Sequence, residues 1–263
     1  MKAFLLALQF LTCLPVSLKA APNPADWGRS AVAYPVIGFL IGLLLAGLQQ
    51  LVGHADPLLQ AALLTAIWAL ITGGLHLDGL ADSADAWLGG HGDRERTLAI
   101  MKDPRSGPAA VSTLVLVLLL KFVALAGLVK AGAYDPAQAG FMACSGSESP
   151  CGAWPALLLA PVLGRSALVA LLLGTPYVRA GGMGSSISAH LPRAAAVLAL
   201  LLVAAGGLLA GKAGALALAV AAAVWLGLRW MMMRRLGGMT GDTLGAAVEL
   251  TEVAVLVALA LSL

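Results

Sequence analysis

The chain has 263 residues, of which 60% are hydrophobic and 11% charged, with a formal net charge of +3. Soluble domains carry about a quarter charged residues, so the composition excludes an ordinary soluble domain and points to a polytopic membrane protein. The small positive excess, without a Lys/Arg–aromatic cluster, gives no basis for a nucleic-acid partner.

In chain order, Met1-Lys2 leads into apolar residues 3–14, which stop at Pro15. The run is short for a span, which needs about 20 residues, and it lacks a small-x-small cleavage site. An interfacial or re-entrant helix is expected there. Apolar stretches near 31–53, 58–77, 109–130, 153–175, 193–210, 214–233 and 243–263 suit a hydrocarbon core of about 30 Å. Helices satisfy their own backbone in lipid. The expected fold is an all-α polytopic integral membrane bundle of about seven transmembrane helices, forming one domain over 1–263. Gly38 and Gly42, four apart in the first span, suit close helix packing.

Basic residues set the orientation. Lys19 and Arg29, then Arg94, Arg96, Lys102 and Arg105, then Arg179 and Arg193, then Arg229, Arg234 and Arg235 mark four regions. They alternate with three poor regions, where only Lys130 and Lys212 stand. The positive-inside rule puts the rich side in the cytoplasm. Cys13, Cys144 and Cys151 have no metal-ligand spacing. Cys144 and Cys151 share loop 131–152 on the outer side, where an oxidising compartment would let them pair.

Chemistry concentrates in three acidic segments. In residues 73–85, GGLHLDGLADSAD, Asp78, Asp82 and Asp85 follow i, i+4, i+7 spacing and so share a helix face. Carboxylates stacked in this way repel one another, and a hard divalent cation such as Mg²⁺ or Ca²⁺ removes the conflict. His76 beside them is a ligand, a donor or an orienting group. In residues 100–107, IMKDPRSG, Lys102 and Arg105 bracket Asp103, a setting suited to a phosphate. In residues 237–252, GGMTGDTLGAAVELTE, Asp242 and Glu249 share a face and Glu252 continues it. Asp242 competes between N-cap and site roles. One of the two glutamates is expected to pair with Arg165, while Lys121 either snorkels or meets an acid.

These three strings, with LTCLPV at 11–16 and YPVIG at 34–38, resemble the cobalamin synthase family, the adenosylcobinamide-GDP ribazoletransferases. The resemblance runs along essentially the whole chain. It implies a multispanning bacterial inner-membrane enzyme with a cytoplasmic active site. The implied reaction joins adenosylcobinamide-GDP to α-ribazole or its 5′-phosphate and releases GMP, with Mg²⁺ as cofactor. On that reading Asp78, Asp82, Asp85 and Asp242 hold metal. Asp82, Asp103, Arg105 and Glu249 act in catalysis, and His76, Lys102, Arg105 and Thr240 contact substrate. The proton acceptor is Asp82 or Glu249. Besides substrates and lipid, a second copy of the chain or other cobamide-assembly enzymes are expected as partners. Three departures stand out: Ala99 occupies a position that the family makes acidic, Ala86-Trp87 follow the third aspartate, and Pro104 and Ser106 flank Arg105.

Two other readings compete. A CDP-alcohol phosphotransferase also clusters membrane aspartates around a divalent cation, but DGLAD stands where its DG-x-x-A-R would be. A cation- or proton-coupled transporter would carry its acids near the midplane rather than at one face.

Overall fold

A computed structural model describes residues 1–18, 20–133, 153–179, 181 and 183–263. Lys19 and the Cys144–Cys151 pairing lie outside the described residues. The helices in order are α1 (Lys2–Leu11), α2 (Pro24–Ser30), α3 (Tyr34–Leu51), α4 (Pro57–Ile71), α5 (Leu75–Gly89) and α6 (Arg94–Ile100). There follow α7 (Pro108–Ala133), α8 (Trp154–Gly174), α9 (Met183–Ala189), α10 (Arg193–Leu209), α11 (Gly211–Leu236) and α12 (Gly241–Leu261). A 3₁₀ turn at Ala31–Ala33 joins α2 to α3. The protein is a multi-pass membrane helix bundle.

Among the described residues, five helical stretches are long and apolar enough to cross a membrane: Pro24–Leu51, Pro108–Gly132, Trp154–Gly174, Gly211–Leu236 and Gly241–Leu261. Two bent pairs, α4 with α5 at 87° and α9 with α10 at 93°, bring the total to seven if each is one span. The expected span 58–77 is corrected here. Its helix stops at Ile71, because Gly73 and Gly74 take φ of +61° and +70°, a left-handed region that glycine enters freely. His76 and Leu77 therefore belong to the acidic helix α5, turned across the end of α4.

The core is built on α8, against which α3, α12, α11 and α10 pack. Gly38 and Gly42 meet it as expected. A Cβ on Gly38 would stand 2.4 Å from the Pro161 carbonyl oxygen, and one on Gly42 2.7 Å from that of Leu157. Small residues thus allow backbone contact where lipid offers no hydrophobic drive. Outer faces keep apolar side chains exposed, among them Leu116, Leu119 and Leu120 on α7 and Leu198, Leu201 and Leu202 on α10. The N-terminal helix α1 buries Leu6, Ala7 and Leu11, and Lys2 pairs with Asp26 of α2 at 2.7 Å.

The basic loops gather at one end of the bundle, where several of their arginines close helices. The last carbonyls of a helix lack intrahelical donors. Arg193 donates to Leu173 at 2.7 Å and Arg229 to Gly174 at 3.1 Å, closing α8. Arg94 donates to Leu236 at 2.7 Å, closing α11, and Arg235 to Trp87 at 2.9 Å in the last turn of α5.

At the same end α5 crosses α12 backbone to backbone. A Cβ on Gly79 would meet the Asp242 carbonyl oxygen at 2.8 Å, and one on Gly245 would meet the Gly79 Cα at 3.3 Å. Overpacking of this kind costs about 1–3 kcal/mol. Gly79→Val is therefore expected to lower the melting temperature of the detergent-purified protein, whereas Gly47→Val, which meets open space, leaves it unchanged.

Candidate active site

Four segments meet at that end. On α5, Asp78 is exposed while Asp82 and Asp85 are half-buried. The backbone of Asp242 rests on Gly79, between Asp78 and Asp82 in sequence, so the α5–α12 crossing brings three carboxylates into one electrostatic neighbourhood. Asp82 feels Asp78, Asp242 and Asp85, opposed by Arg179. Among the described residues, no three His, Cys, Asp or Glu side chains converge into a ready-made metal shell.

Asp85, expected among the metal ligands, has a structural task. Its carboxylate accepts from the backbone N–H of Gly107 and from that of Ala110 at 2.9 Å, closing the N-terminus of α7. Gly107 is needed for that approach, since a Cβ there would stand 2.7 Å from Asp85 Oδ1. The contact fastens loop 101–107 beside α5.

In that loop Asp103 and Arg105 form a two-point pair, Nε to Oδ1 at 2.9 Å and Nη2 to Oδ2 at 2.6 Å. Hydrogen bonding from Arg105 draws the Asp103 carboxyl down to about 2. Lys102 and Arg105 are exposed, while Met101 is buried with its sulfur 3.7 Å from the Thr240 hydroxyl. Loop 101–107 thereby touches α12 as well as α5.

Thr240, expected as a substrate contact, stands at the start of α12. It is fully buried and is the N-cap of α12, its hydroxyl accepting from Thr243 N at 3.2 Å while Thr243 Oγ1 accepts from Thr240 N at 2.9 Å. With the cap supplied by Thr240, Asp242 is left for other work.

The fourth segment was not singled out as a site in the sequence. Residues 176–179 run beside 237–239, with Val178 N donating to Met239 O at 3.0 Å and Met239 N to Pro176 O at 2.8 Å. A Cβ on Gly238 would stand 2.2 Å from Pro176 O, so glycine is required for this seam. It delivers Arg179 to Asp242, Nη2 to Oδ2 at 2.9 Å, with both side chains partly exposed. Tyr177 sits beside them, its hydroxyl pushed up by burial. The available signal was a lone arginine in a Pro- and Gly-rich polar loop on the basic side, PYVRAGGMGS.

Deeper in the bundle lies a separate cluster. Lys121 of α7 donates to Glu249 and Glu252 of α12, each at 2.8 Å, and Arg165 of α8 pairs with Glu252. Lys121 Nζ also lies 4.5 Å from the Trp68 ring centre on α4. Gly164 leaves room for Glu252, whose Cγ would be 2.9 Å from a Cβ there. Two cations offset two carboxylates, so the cluster is neutral. The pairing foreseen for Arg165 and an α12 glutamate is present, and Lys121 has found its acids. Glu249, expected as a general base, is buried at 3% exposure in this network, and His76, expected at the substrate, is buried at 2% within the fields of Arg165 and Lys121. Both are held away from solvent.

Comparison with known proteins covers nearly the whole chain. A family profile described as cobalamin-5-phosphate synthase matches residues 3–260. The chain belongs to the cobalamin-5-phosphate synthase family. The phosphotransferase and transporter readings lose their ground with that match. An adenosylcobinamide-GDP ribazoletransferase of Pseudomonas syringae pv. syringae is 54% identical over 262 residues, covering 99% of this chain and 100% of the relative. One from Pseudomonas fluorescens is 55% identical with the same coverage, and one from Stutzerimonas stutzeri 55% identical over 99% of this chain and 98% of the relative. No solved structure matches the chain. The segments 73–85, 100–107 and 237–252 that carried the likeness to cobalamin synthase are the ones that the fold brings together.

Breaking a buried ion pair by removing one partner costs about 3–5 kcal/mol, because the remaining charge is left uncompensated. Lys121→Met in this cobalamin synthase family member is expected to lower thermal stability by that order, measured by unfolding in detergent. An unchanged melting temperature would remove the cluster's structural role.

Proposed function

We propose that the protein transfers the cobinamide phosphoryl group of adenosylcobinamide-GDP to a hydroxyl of α-ribazole or its 5′-phosphate, releasing GMP. The observation that carries this reading is the gathering of Asp78, Asp82 and Asp242 with Arg179 at one end of the bundle, beside loop 101–107 that carries Lys102 and Arg105, in a chain 54% identical over its length to a protein of that name. Acids and bases on facing elements suit a diphosphate bound partly through a cation and partly by direct pairing.

The donor set fits Mg²⁺, a hard cation that takes oxygen ligands. Mg²⁺ keeps several waters and uses one or two carboxylates together with substrate phosphates rather than a full protein cage. Asp78, Asp82 and Asp242 would hold it, and it would supply charge neutralisation at the phosphoryl oxygens. The chain's own residues supply positioning, which dominates phosphoryl transfer. Lys102 and Arg105 steady the oxygens of the departing GMP. Asp82, half-buried beside Asp78 and Asp242, accepts the proton of the attacking ribazole hydroxyl. An O–P bond forms to the hydroxyl oxygen as the P–O bond of the diphosphate breaks, and the electron pair leaves with GMP. Asp103 holds Arg105 by its two-point pair. The basic end of the bundle faces the cytoplasm of a bacterial inner membrane, where nucleotide-activated substrates are found.

In purified protein, product formation from adenosylcobinamide-GDP and α-ribazole is expected with Mg²⁺ and lost with a chelator. Asp82→Asn is expected to remove at least about 99% of transfer, in line with an acid–base contribution of about 10²–10⁴-fold, with the melting temperature kept. Near-normal transfer by that variant would end the assignment. For orientation, a cysteine in place of exposed Glu95 on α6 should react with a membrane-impermeant maleimide in inside-out vesicles and not in intact spheroplasts. The opposite pattern would invert the topology.

A further inference from the structure

The arginines of the basic end differ in what they hold. Arg94, Arg193, Arg229 and Arg235 donate to backbone carbonyls near helix ends, and Arg105 is paired within its own loop. Arg179 instead lies on a carboxylate of the proposed cation site, Asp242, at 2.9 Å, and its charge also reaches Asp82. Its backbone is fixed by the seam between 176–178 and 239, so the guanidinium is presented from an anchored position at the N-terminal end of α12. Its Nε and Nη2 are both buried without a hydrogen-bond partner among the described residues, so the contact with Asp242 is an ion pair and the N–H groups of the planar fork are unspent.

A guanidinium and a divalent cation compete for one carboxylate, and only the guanidinium has N–H groups directed at phosphate oxygens. We propose that Arg179 serves in turn as a stand-in cation and as a diphosphate-binding residue. In the metal-free enzyme it neutralises Asp242. With Asp242 given over to a divalent cation, the guanidinium would be free to turn its fork to the diphosphate oxygens. This rests on the proposed phosphoryl-transfer reading and adds a substrate-binding residue to it. Tyr177, whose ring meets Gly184 and whose hydroxyl lies 3.9 Å from a Cβ position on Gly241, walls the side of this turn.

The proposal requires two affinities to move in opposite directions, which a merely structural arginine would not produce. Mn²⁺ binding to the detergent-purified protein without substrate is followed by the paramagnetic resonance of free Mn²⁺. Binding of adenosylcobinamide-GDP is measured separately with Mg²⁺ present. Arg179→Gln is expected to bind Mn²⁺ about threefold or more tightly than wild type, since a competing cation is gone. The same variant is expected to bind adenosylcobinamide-GDP about tenfold to a hundredfold more weakly. Arg179→Lys, which keeps charge but not the fork, is expected to hold Mn²⁺ like wild type and to bind substrate between the other two. Loss of both affinities together, or no change in either, overturns the role of Arg179 while wild-type Mn²⁺ binding leaves the metal site standing. Wild-type protein that binds no Mn²⁺ overturns the metal site and this inference with it. If Arg179→Gln does not fold, wild-type substrate affinity in Arg179→Lys overturns the fork's contribution.

Discussion

The arrangement depends on a neutral group of four charges inside the bundle. Glu249 and Glu252 lie on a membrane-crossing helix, where an unpaired carboxylate would carry a severe desolvation penalty. The helix is therefore restricted to a rotation and depth that present both acids to Lys121 and Arg165. Asp242, Gly245, Glu249 and Glu252 fall at i, i+3, i+7 and i+10, on one face. Satisfying the deep charges thus also aims Asp242 inward at the rim, about 10 Å above Glu249 by helical rise. Gly245 lies between them as the surface that α5 crosses.

Burial separates two uses of charge in this molecule. The deep charges of Lys121, Arg165, Glu249 and Glu252 each meet an opposite charge and locate helices. Charges at the rim are partly exposed, and they divide again. Asp85 and the arginines at positions 94, 193, 229 and 235 satisfy backbone groups at helix ends. Asp78, Asp82 and Asp242 are left with Arg179 as their nearby counter-charge, so the local balance is negative. That imbalance is what a divalent cation would correct.

Much of this was legible in the sequence because its signals are local. Apolar run length marks the spans, the i, i+4, i+7 pattern marks the acidic face, and Gly38 and Gly42 mark a close helix contact. The 58–77 run misled because hydropathy does not register backbone sign. Gly73-Gly74 turns the chain through 87° inside a stretch that reads as continuously apolar. Contacts between residues distant along the chain were not legible in this way. Asp85 meets the backbone N–H groups of Gly107 and Ala110, 22 and 25 residues away. Arg179 was counted as a topology signal, although it is 63 residues from the carboxylate it meets.

Glycine has a different task at each level of the site. Gly73 and Gly74 aim α5 across the bundle end through positive φ, Gly79 and Gly245 set its distance from α12, and Gly238 admits the strand-like seam that carries Arg179. Gly107 lets Asp85 reach the start of α7. Each of these contacts is made to backbone or to a carboxylate already engaged, so added volume cannot be absorbed by turning a flexible side chain aside. Carboxylates brought together in this way remain repulsive, and the fold must hold them there against that repulsion. Two opposed features do so: the neutral cluster holds α12 from below, and the closed helix ends hold α5 and loop 101–107 from above. The acidic face that stands out in the sequence is therefore the consequence of a scaffold made largely of glycine contacts and arginine caps.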